Sequence, residues 1–423
     1  MQAAEINASL ITIGDELLIG QTVDTNSAYI GQALNNIGIW VQRRVAIGDV
    51  KEHILNTLRE EADRSQVIII TGGLGPTADD ITKPALCAYF NSNLVVNEGA
   101  LQNVKDIFEQ LNRPLLERNI KQAEVPHNCL VLQNRRGTAP GMWFKKEGVI
   151  YISLPGVPHE MKGLMEQVLP LLQQEFTLPT IIHRTLVTAG KGESELAEHI
   201  ADIEAGLPPH IKLAYLPSYG MVKLRLTGKG LDKETLQKEI ETFFSHLKQR
   251  VQPWLVTDKD APVQVVLHEL LKAKSKMVAT AESCTGGYIA HLLTERPGSS
   301  ATFKGGVVSY ANEAKEAALG VQQQTLLDHG AVSEETVTEM AKGVLQRLHA
   351  DYAIATSGIM GPDGGSAEKP VGTVWIAVAD KEVVKTVKYF VRYDRRRNIE
   401  QTAHYSINLL RQFILEREGK NAH

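Results

Sequence analysis

Apolar positions recur along the first 175 residues in two alternating rhythms. Continuous apolar runs at 10–13, 67–70 and 149–154 read as strands buried on both faces. Between them, segments at 26–37, 51–64 and 158–175 carry the spacing of amphipathic helices. Strand and helix in alternation predict a parallel sheet covered on both faces, with ligands bound beyond the carboxyl ends of its strands. Around Leu178-Pro179 the rhythm changes. From there to about residue 256, strands at 182–187 and 222–227 with helices at 194–205 and 233–251 predict a small α+β unit. The polar stretch 256–262 ends in proline and reads as a second boundary. Beyond it, strands at 277–280, 306–309, 352–356, 373–378 and 383–391 accompany helices at 263–274, 286–294, 333–348 and 398–415. Several of their connections are short enough for antiparallel pairing, so the third unit is predicted to be α/β with a mixed sheet. The expected domains are 1–176, 177–258 and 259–423.

Length and composition agree with that division. A chain of 423 residues exceeds the size at which one core keeps growing, and 43% hydrophobic with 22% charged residues is ordinary for a soluble protein. No apolar run approaches the roughly 18 residues of a membrane span. The opening residues lack a basic stretch followed by an apolar one, so a cytoplasmic protein is expected. A formal charge of −4 gives no general attraction to nucleic acid, and direct binding to it is not expected. The three cysteines, Cys87, Cys129 and Cys284, lie far apart and read as small buried hydrophobes, not as disulfide partners or zinc ligands.

The residues 71–82, TGGLGPTADDIT, join a glycine-rich turn to two adjacent carboxylates just past the run at 67–70. Gly72, Gly73 and Gly75 let the backbone approach a ligand and aim N–H groups at phosphate oxygens. Asp79 and Asp80, with Asp15 and Glu16 after the first strand, are candidate ligands of a divalent cation such as magnesium, which takes one or two carboxylates plus substrate phosphates. Asp24 belongs to the same rim. Asn119, Gly137, Pro155 and Gly156 sit in further predicted loops at that edge of the sheet. Together they suit hydrolysis of a phosphoanhydride, although a tight turn followed by an aspartate helix cap would read the same way.

A second constellation follows the strand at 277–280. In ESCTGG (282–287), Ser283, Thr285, Gly286 and Gly287 open a helix and offer an anion or amide cradle. Ser300 and Lys315 are a candidate nucleophile and base, with Tyr310 placing or relaying the proton, because a lysine kept partly neutral by burial can take a serine's proton. Ser357 and Gly358 are candidates to line the pocket. Arg395 or Arg397 is a candidate to hold a phosphate.

These stretches carry a family resemblance. TIGDELLIGQTVDTNS (12–27), TGGLGPTADDIT, NRRGTAPG (134–141) and LPGVPHEM (154–161) resemble motifs of the CinA family, whose N-terminal domain is related to molybdopterin-binding domains. AESCTGG (281–287), GVVSYANEAK (306–315), TSGIMGPDGG (356–365) and KPVGTVWIA (369–377) resemble the C-terminal domain of the same family. The resemblance implies a three-layer molybdopterin-binding-like domain, a small KH-like domain and an α/β deamidase domain. It implies two activities. One is deamidation of nicotinamide mononucleotide to nicotinic acid mononucleotide and ammonia, with Ser300 as nucleophile, Ser283 as the second choice, Lys315 as base and Tyr310 assisting. The other is cleavage of ADP-ribose to AMP and ribose 5-phosphate with magnesium, manganese or cobalt. The rival for the N-terminal domain is a pterin- or nucleotide-binding module without turnover. The family shows Gly-Asp-Arg where this chain reads Tyr393-Asp394-Arg395, so Arg395 and Arg397 both stay open for the phosphate. A homodimer is implied. In the KH-like segment Gly190-Lys191-Gly192-Glu193 and Gly228-Lys229-Gly230-Leu231 do not fit the GxxG clamp of RNA-binding KH domains, which favours a spacer or dimerisation module.

Overall fold

The run at 67–70 lies within the strand Val67–Thr71, all of whose residues are buried. It pairs in parallel with Asn7–Ile13 on one side and Val149–Leu154 on the other, so that Leu10 and Ile152 flank Ile69. Trp40–Ile47 extends the sheet in parallel beyond Asn7–Ile13, while Gly141–Lys146 and then Leu130–Leu132 extend it antiparallel past Val149–Leu154. Successive side chains of a strand point to opposite faces, which makes the run apolar without interruption. Leu10, Ile69 and Ile152 meet Ile30 and Leu34 of Thr25–Asn36 and Leu164 and Val168 of Pro158–Glu175. Ile11, Ile68 and Ile70 meet Ile54 and Leu58 of Lys51–Ala62 and Leu86 of Thr82–Phe90. The result is three layers: helices, sheet, helices.

The computed structural model describes residues 6–77 and 80–421, with backbone only at 418, 420 and 421. Asp79, one of the candidate metal ligands, lies outside the described residues. The chain divides into two compact units, one built on residues up to 182 together with 228–239, the other on 183–227 together with 240 onward. Among the described residues, no helix is long and apolar enough to cross a membrane.

In the second unit the C-terminal sheet is mixed. Val278–Glu282 pairs in parallel with Phe303–Val308 and Tyr352–Gly358, and Thr373–Ala379 and Val384–Phe390 continue antiparallel. Glu334–Leu348 covers one face, where Met340 and Val344 pack on Ala353 and Ala377. Val263–Ala273 and the long helix Arg395–Asn421 cover the other, where Leu267 and Leu410 pack with Ile354 and Ile376. The KH-like segment contributes a four-stranded sheet ordered Ile211–Ser218, Met221–Gly230, Thr180–Ala189, Leu255–Thr257.

Several elements differ from the sequence expectation. Trp40–Ile47 escaped it because Gln42, Arg43 and Arg44 interrupt its apolar residues, as an edge strand with alternate positions exposed permits. Ile211–Ser218 escaped it because Pro217 breaks its pattern. The helix expected over 194–205 breaks at Ile200 into Glu193–His199 and Ala201–Ala205. The one expected from 286 starts at Tyr288, because Gly286 and Gly287 are left-handed at φ 60° and 94°.

Candidate active sites

At the carboxyl end of the C-terminal sheet, Val278–Glu282 finishes on a fully buried glutamate. Glu282 turns its carboxylate onto the next helix: Oε2 accepts from Thr285 Oγ1 at 2.8 Å and from the Gly287 and Ile289 amides at 3.0 Å, and Oε1 accepts from the Ala290 amide at 2.8 Å. A carboxylate thus satisfies donors that the first helical turn would otherwise leave orphaned. Sequence reading missed this residue, although a glutamate placed directly before a helix-opening SCTGG was the signal for it.

The capped turn presents Ser283. Its amide donates to Thr356 O at 3.0 Å on the neighbouring strand. Lys315, in the helix Asn312–Leu319, reaches it from below and is 1% exposed. The lysine Nζ lies 3.1 Å from Ser283 Oγ, 2.9 Å from the Ser309 carbonyl and 3.1 Å from the Tyr310 carbonyl. Among the described residues no carboxylate pairs with it, and burial pushes its pKa below the ordinary lysine range. Cys284 beside it is buried, and burial pushes its thiol up to about 12, which leaves it protonated and inert.

Lys315 therefore meets Ser283 and not Ser300. Ser300 sits exposed in the 3-10 turn Ser299–Ala301 and is not among the hydrogen-bond partners of the lysine. Tyr310 links Lys315 to Arg395: its carbonyl accepts from Lys315, and its exposed hydroxyl accepts from Arg395 Nη2 at 2.9 Å. Arg395 Nη1 donates to the Gly361 carbonyl at 2.8 Å, which fixes the guanidinium beside the tyrosine. The Arg397 guanidinium stacks instead on the Tyr393 ring, 4.4 Å from its centroid. Two other candidates belong to the framework. Thr285 Oγ1 is buried against Glu282 and Thr356, and Ser357 Oγ donates to the Ala331 carbonyl at 2.6 Å. Gly358 is needed for close approach, since a Cβ there would lie 2.8 Å from the Thr373 carbonyl oxygen. At Gly286 a Cβ would meet nothing within 4 Å.

In the first unit, the loops after three parallel strands converge. The Gly72 amide donates to Leu154 O at 3.1 Å, a Cβ on Gly156 would lie 3.5 Å from Gly72 Cα, and Asn26 Nδ2 donates to Gly156 O at 2.7 Å. Gly72 and Gly73 take φ of 107° and 65°, and a Cβ at either would come within 2.2 Å of Ile13 O or Thr82 Oγ1. These glycines are therefore obligatory. Pro155 lies between Leu154 and Gly156 at this edge.

Asp80 closes the glycine loop on itself: its oxygens accept from the Gly75 amide at 2.8 Å, the Thr77 amide at 2.8 Å and Thr77 Oγ1 at 2.6 Å. Asp15 and Glu16 are exposed, with the Asp15 amide donating to Asp49. Asp24 caps Thr25–Asn36 by accepting from the Ser27 amide at 2.9 Å. Among the described residues, no three His, Cys, Asp or Glu side chains gather closely enough to hold a metal by themselves. Asp15, Glu16 and Asp80, the suggested ligands among the described residues, thus form no such group.

Asn119 Oδ1 accepts from the Leu116 amide at 3.2 Å, in the role of a helix cap. Gly137 is held where Asn103 Nδ2 reaches its carbonyl at 3.0 Å, and a Cβ there would collide with the Glu160 carboxyl. That carboxyl takes a hydrogen bond from Asn134 at 2.6 Å, and burial raises its pKa. Sequence reading also missed Lys83, the residue after TGGLGPTADDIT. It is buried, donates to the Gln122 carbonyl at 2.8 Å, and burial lowers its pKa to about 8 despite nearby Glu124 and Asp80.

Three family models divide the chain in the order of these features. Residues 9–174 match the family described as "Probable molybdopterin binding domain", 183–256 the damage-inducible protein CinA KH domain, and 260–414 the CinA C-terminal domain. A CinA-like protein of Cytophaga hutchinsonii is 48% identical over 412 residues, covering 97% of this chain and 99% of its own. The chain belongs to the CinA family. A CinA-like protein of Flavobacterium psychrophilum is 45% identical over 418 residues, covering 98% of this chain and all of its own. Among solved structures, a CinA superfamily protein of Klebsiella pneumoniae is 36% identical and covers 35% of this chain and 92% of its own, with a TM-score of 0.34. CinA membership accords with the three-layer N-terminal domain, the KH-like segment and the mixed C-terminal sheet seen here.

Proposed function

We propose that this CinA protein is a two-site hydrolase of pyridine-nucleotide salvage, and that its C-terminal site deamidates nicotinamide mononucleotide through Ser283 and Lys315. The observation that carries the reading is the set of three groups around Lys315 Nζ. Two are carbonyls, which only accept, and the third is a hydroxyl, which can also donate. A neutral amine has two hydrogens and one lone pair, so it satisfies all three when Ser283 O–H donates to it. Ser283 Oγ then attacks the carboxamide carbon while its proton passes to Lys315 Nζ. Collapse of the tetrahedral adduct expels the amide nitrogen, which takes that proton from Lys315 as it departs as ammonia, and leaves an ester on Ser283. Water cleaves the ester, with Lys315 again taking a proton, to give nicotinic acid mononucleotide and free serine. Arg395, braced by Tyr310 and Gly361, would hold the ring-distal phosphate, whose oxygens its fork suits.

For the N-terminal domain we propose hydrolysis of ADP-ribose to AMP and ribose 5-phosphate. The glycine loop would cradle the diphosphate, and a divalent ion of magnesium, manganese or cobalt would neutralise charge on it. One observation favours the rival reading, a nucleotide- or pterin-binding module: Asp80 is already engaged by three donors of its own loop. Both proposals, and the homodimer that the family resemblance implies, are open to direct measurement.

Purified protein incubated with nicotinamide mononucleotide should release ammonia. Ser283→Ala and Lys315→Ala should lose at least two orders of magnitude in rate, and Ser300→Ala should keep most of it. Loss in Ser300→Ala with retention in Ser283→Ala would overturn the assignment. With ADP-ribose, AMP should appear only when one of the three metals is added. Binding of ADP-ribose without AMP under all three would leave the binding module.

A further inference from the structure

A cleft of about 680 Å³ opens within the second unit, between the loops of the KH-like segment and the helix Arg395–Asn421. It shares no lining residue with the amide site: Ser283, Lys315, Tyr310 and Arg395 are all absent from its walls. Its size falls in the roughly 300–1,000 Å³ range of small-molecule sites.

The walls are aromatic. Tyr389 and Tyr405 stack with centroids 4.7 Å apart, and Tyr393 and Tyr219 line the cleft with them. Tyr219 is held in place: its ring stacks on His404 at 4.5 Å and its hydroxyl donates to Glu400 at 3.0 Å. It forms a two-residue turn with Gly220, both at positive φ, and a Cβ on Gly220 would strike the Tyr405 ring at 2.1 Å. The turn is thus shaped to lie against this wall.

The floor is polar and deeply buried. Gln401 and Asn408 are each only 9% exposed although they line the cleft. Gln401 Nε2 donates to Tyr405 O–H at 2.6 Å, while its Oε1 is buried with no partner. Asn408 Oδ1 accepts from Arg411 Nε at 3.0 Å, which leaves the amide of Asn408 to donate. Gln401 thus fixes the Tyr405 ring from beneath, and the Asn408 amide is the donor that the floor turns to a ligand. At the mouth, the Arg397 guanidinium stacks on Tyr393 and has no ion pair among the described residues.

We propose that this cleft is a second ligand site, for a nucleoside monophosphate: a flat heteroaromatic ring against the tyrosines, which Gln401 braces through Tyr405, its acceptor edge on the Asn408 amide, and its phosphate on Arg397. Tyrosine faces accept planar rings by offset stacking, carboxamides pair with a base edge, and a guanidinium without a counter-ion matches a phosphate.

The test is photolabelling of the full chain with 8-azido-AMP, followed by mass-spectrometric mapping. Label is expected on peptides carrying Tyr389, Tyr393 or Tyr405. It should fall at least tenfold in Gln401→Leu and in Asn408→Ala, while any label on the glycine loop at 71–77 is unchanged. AMP should compete and ribose 5-phosphate, which lacks the ring, should not. A thermal melt of each variant reports its folding, and Arg397→Gln, on the surface, serves as a third variant with an expected tenfold weaker competition by AMP. No label on those tyrosine peptides, or label indifferent to all three variants, overturns the proposal. So does a single-stranded oligonucleotide that protects far better than AMP, because the cleft would then be part of a strand-binding surface.

Discussion

Lys315 makes a pH dependence that other readings of the C-terminal site do not. In the proposed reaction its working form is the neutral amine, and burial favours that form by lowering its pKa below the ordinary value of about 10.4. Activity is therefore lost as pH falls through the lowered pKa and is retained above it. The profile of kcat/KM for ammonia release should show an acid limb governed by one group, below the lysine range. Lys315→Arg should abolish that limb together with the activity, since a guanidinium stays protonated throughout. A profile flat between about pH 6 and 10 would remove Lys315 as the base. The sequence made Lys315, Tyr310 and Arg395 visible, because one motif carries the first two and a charged run the third. It did not reveal which serine the lysine meets. Ser300 is nearer along the chain, but Ser283 ends the strand that the lysine helix returns beneath, and only the parallel pairing of Val278–Glu282 with Phe303–Val308 brings them together. Ser357 and Thr285 were legible as polar residues near the site, yet their hydroxyls turn into the framework.

At the scale of the element, Glu282 joins a strand end to a helix start. Four donors converge on one carboxylate that is 0% exposed. In Glu282→Gln one oxygen becomes an NH₂ that faces donors, so at least one hydrogen bond is lost and a buried donor is left facing another. The expected cost is about 2–4 kcal/mol, on the scale of charged hydrogen bonds plus an unsatisfied group. Chemical denaturation of the second unit would measure it. Because the same turn aims Ser283, ammonia release should fall in that variant even where the protein stays folded. Destabilisation without loss of rate would separate the cap from the proposed nucleophile. Buried strands such as Val67–Thr71 announce themselves by an unbroken apolar run. Edge strands such as Trp40–Ile47 do not, because half of their residues face solvent and the arginines are at home there.

Over the whole molecule, the two proposed chemistries lie in different compact units, each with its own core clusters. Calorimetry should resolve more than one transition. Ile69→Ala removes a fully buried side chain from the centre of the first sheet, with an expected cost of about 2–5 kcal/mol. It should lower the transition of the first unit and leave that of the second, and with it ammonia release, in place. A common shift of both transitions would mean that the units melt as one cooperative body. Three stretches were legible in the sequence, yet compactness draws two units, because contacts tie most of the KH-like segment to the C-terminal sheet and its helices, for example through the Tyr219 hydroxyl on Glu400 at 3.0 Å. Composition and linker chemistry report where a chain changes character, not which neighbours it then packs against.

At Gly286 the surrounding space is open while the backbone is left-handed, so this position refuses handedness and not volume. Installed by chemical ligation, a D-alanine at position 286 would keep the turn and the serine's aim, whereas its mirror image, L-alanine, would strain both by about 1–2 kcal/mol. The stereochemistry of a single methyl group thus becomes a reporter of whether the serine's geometry matters.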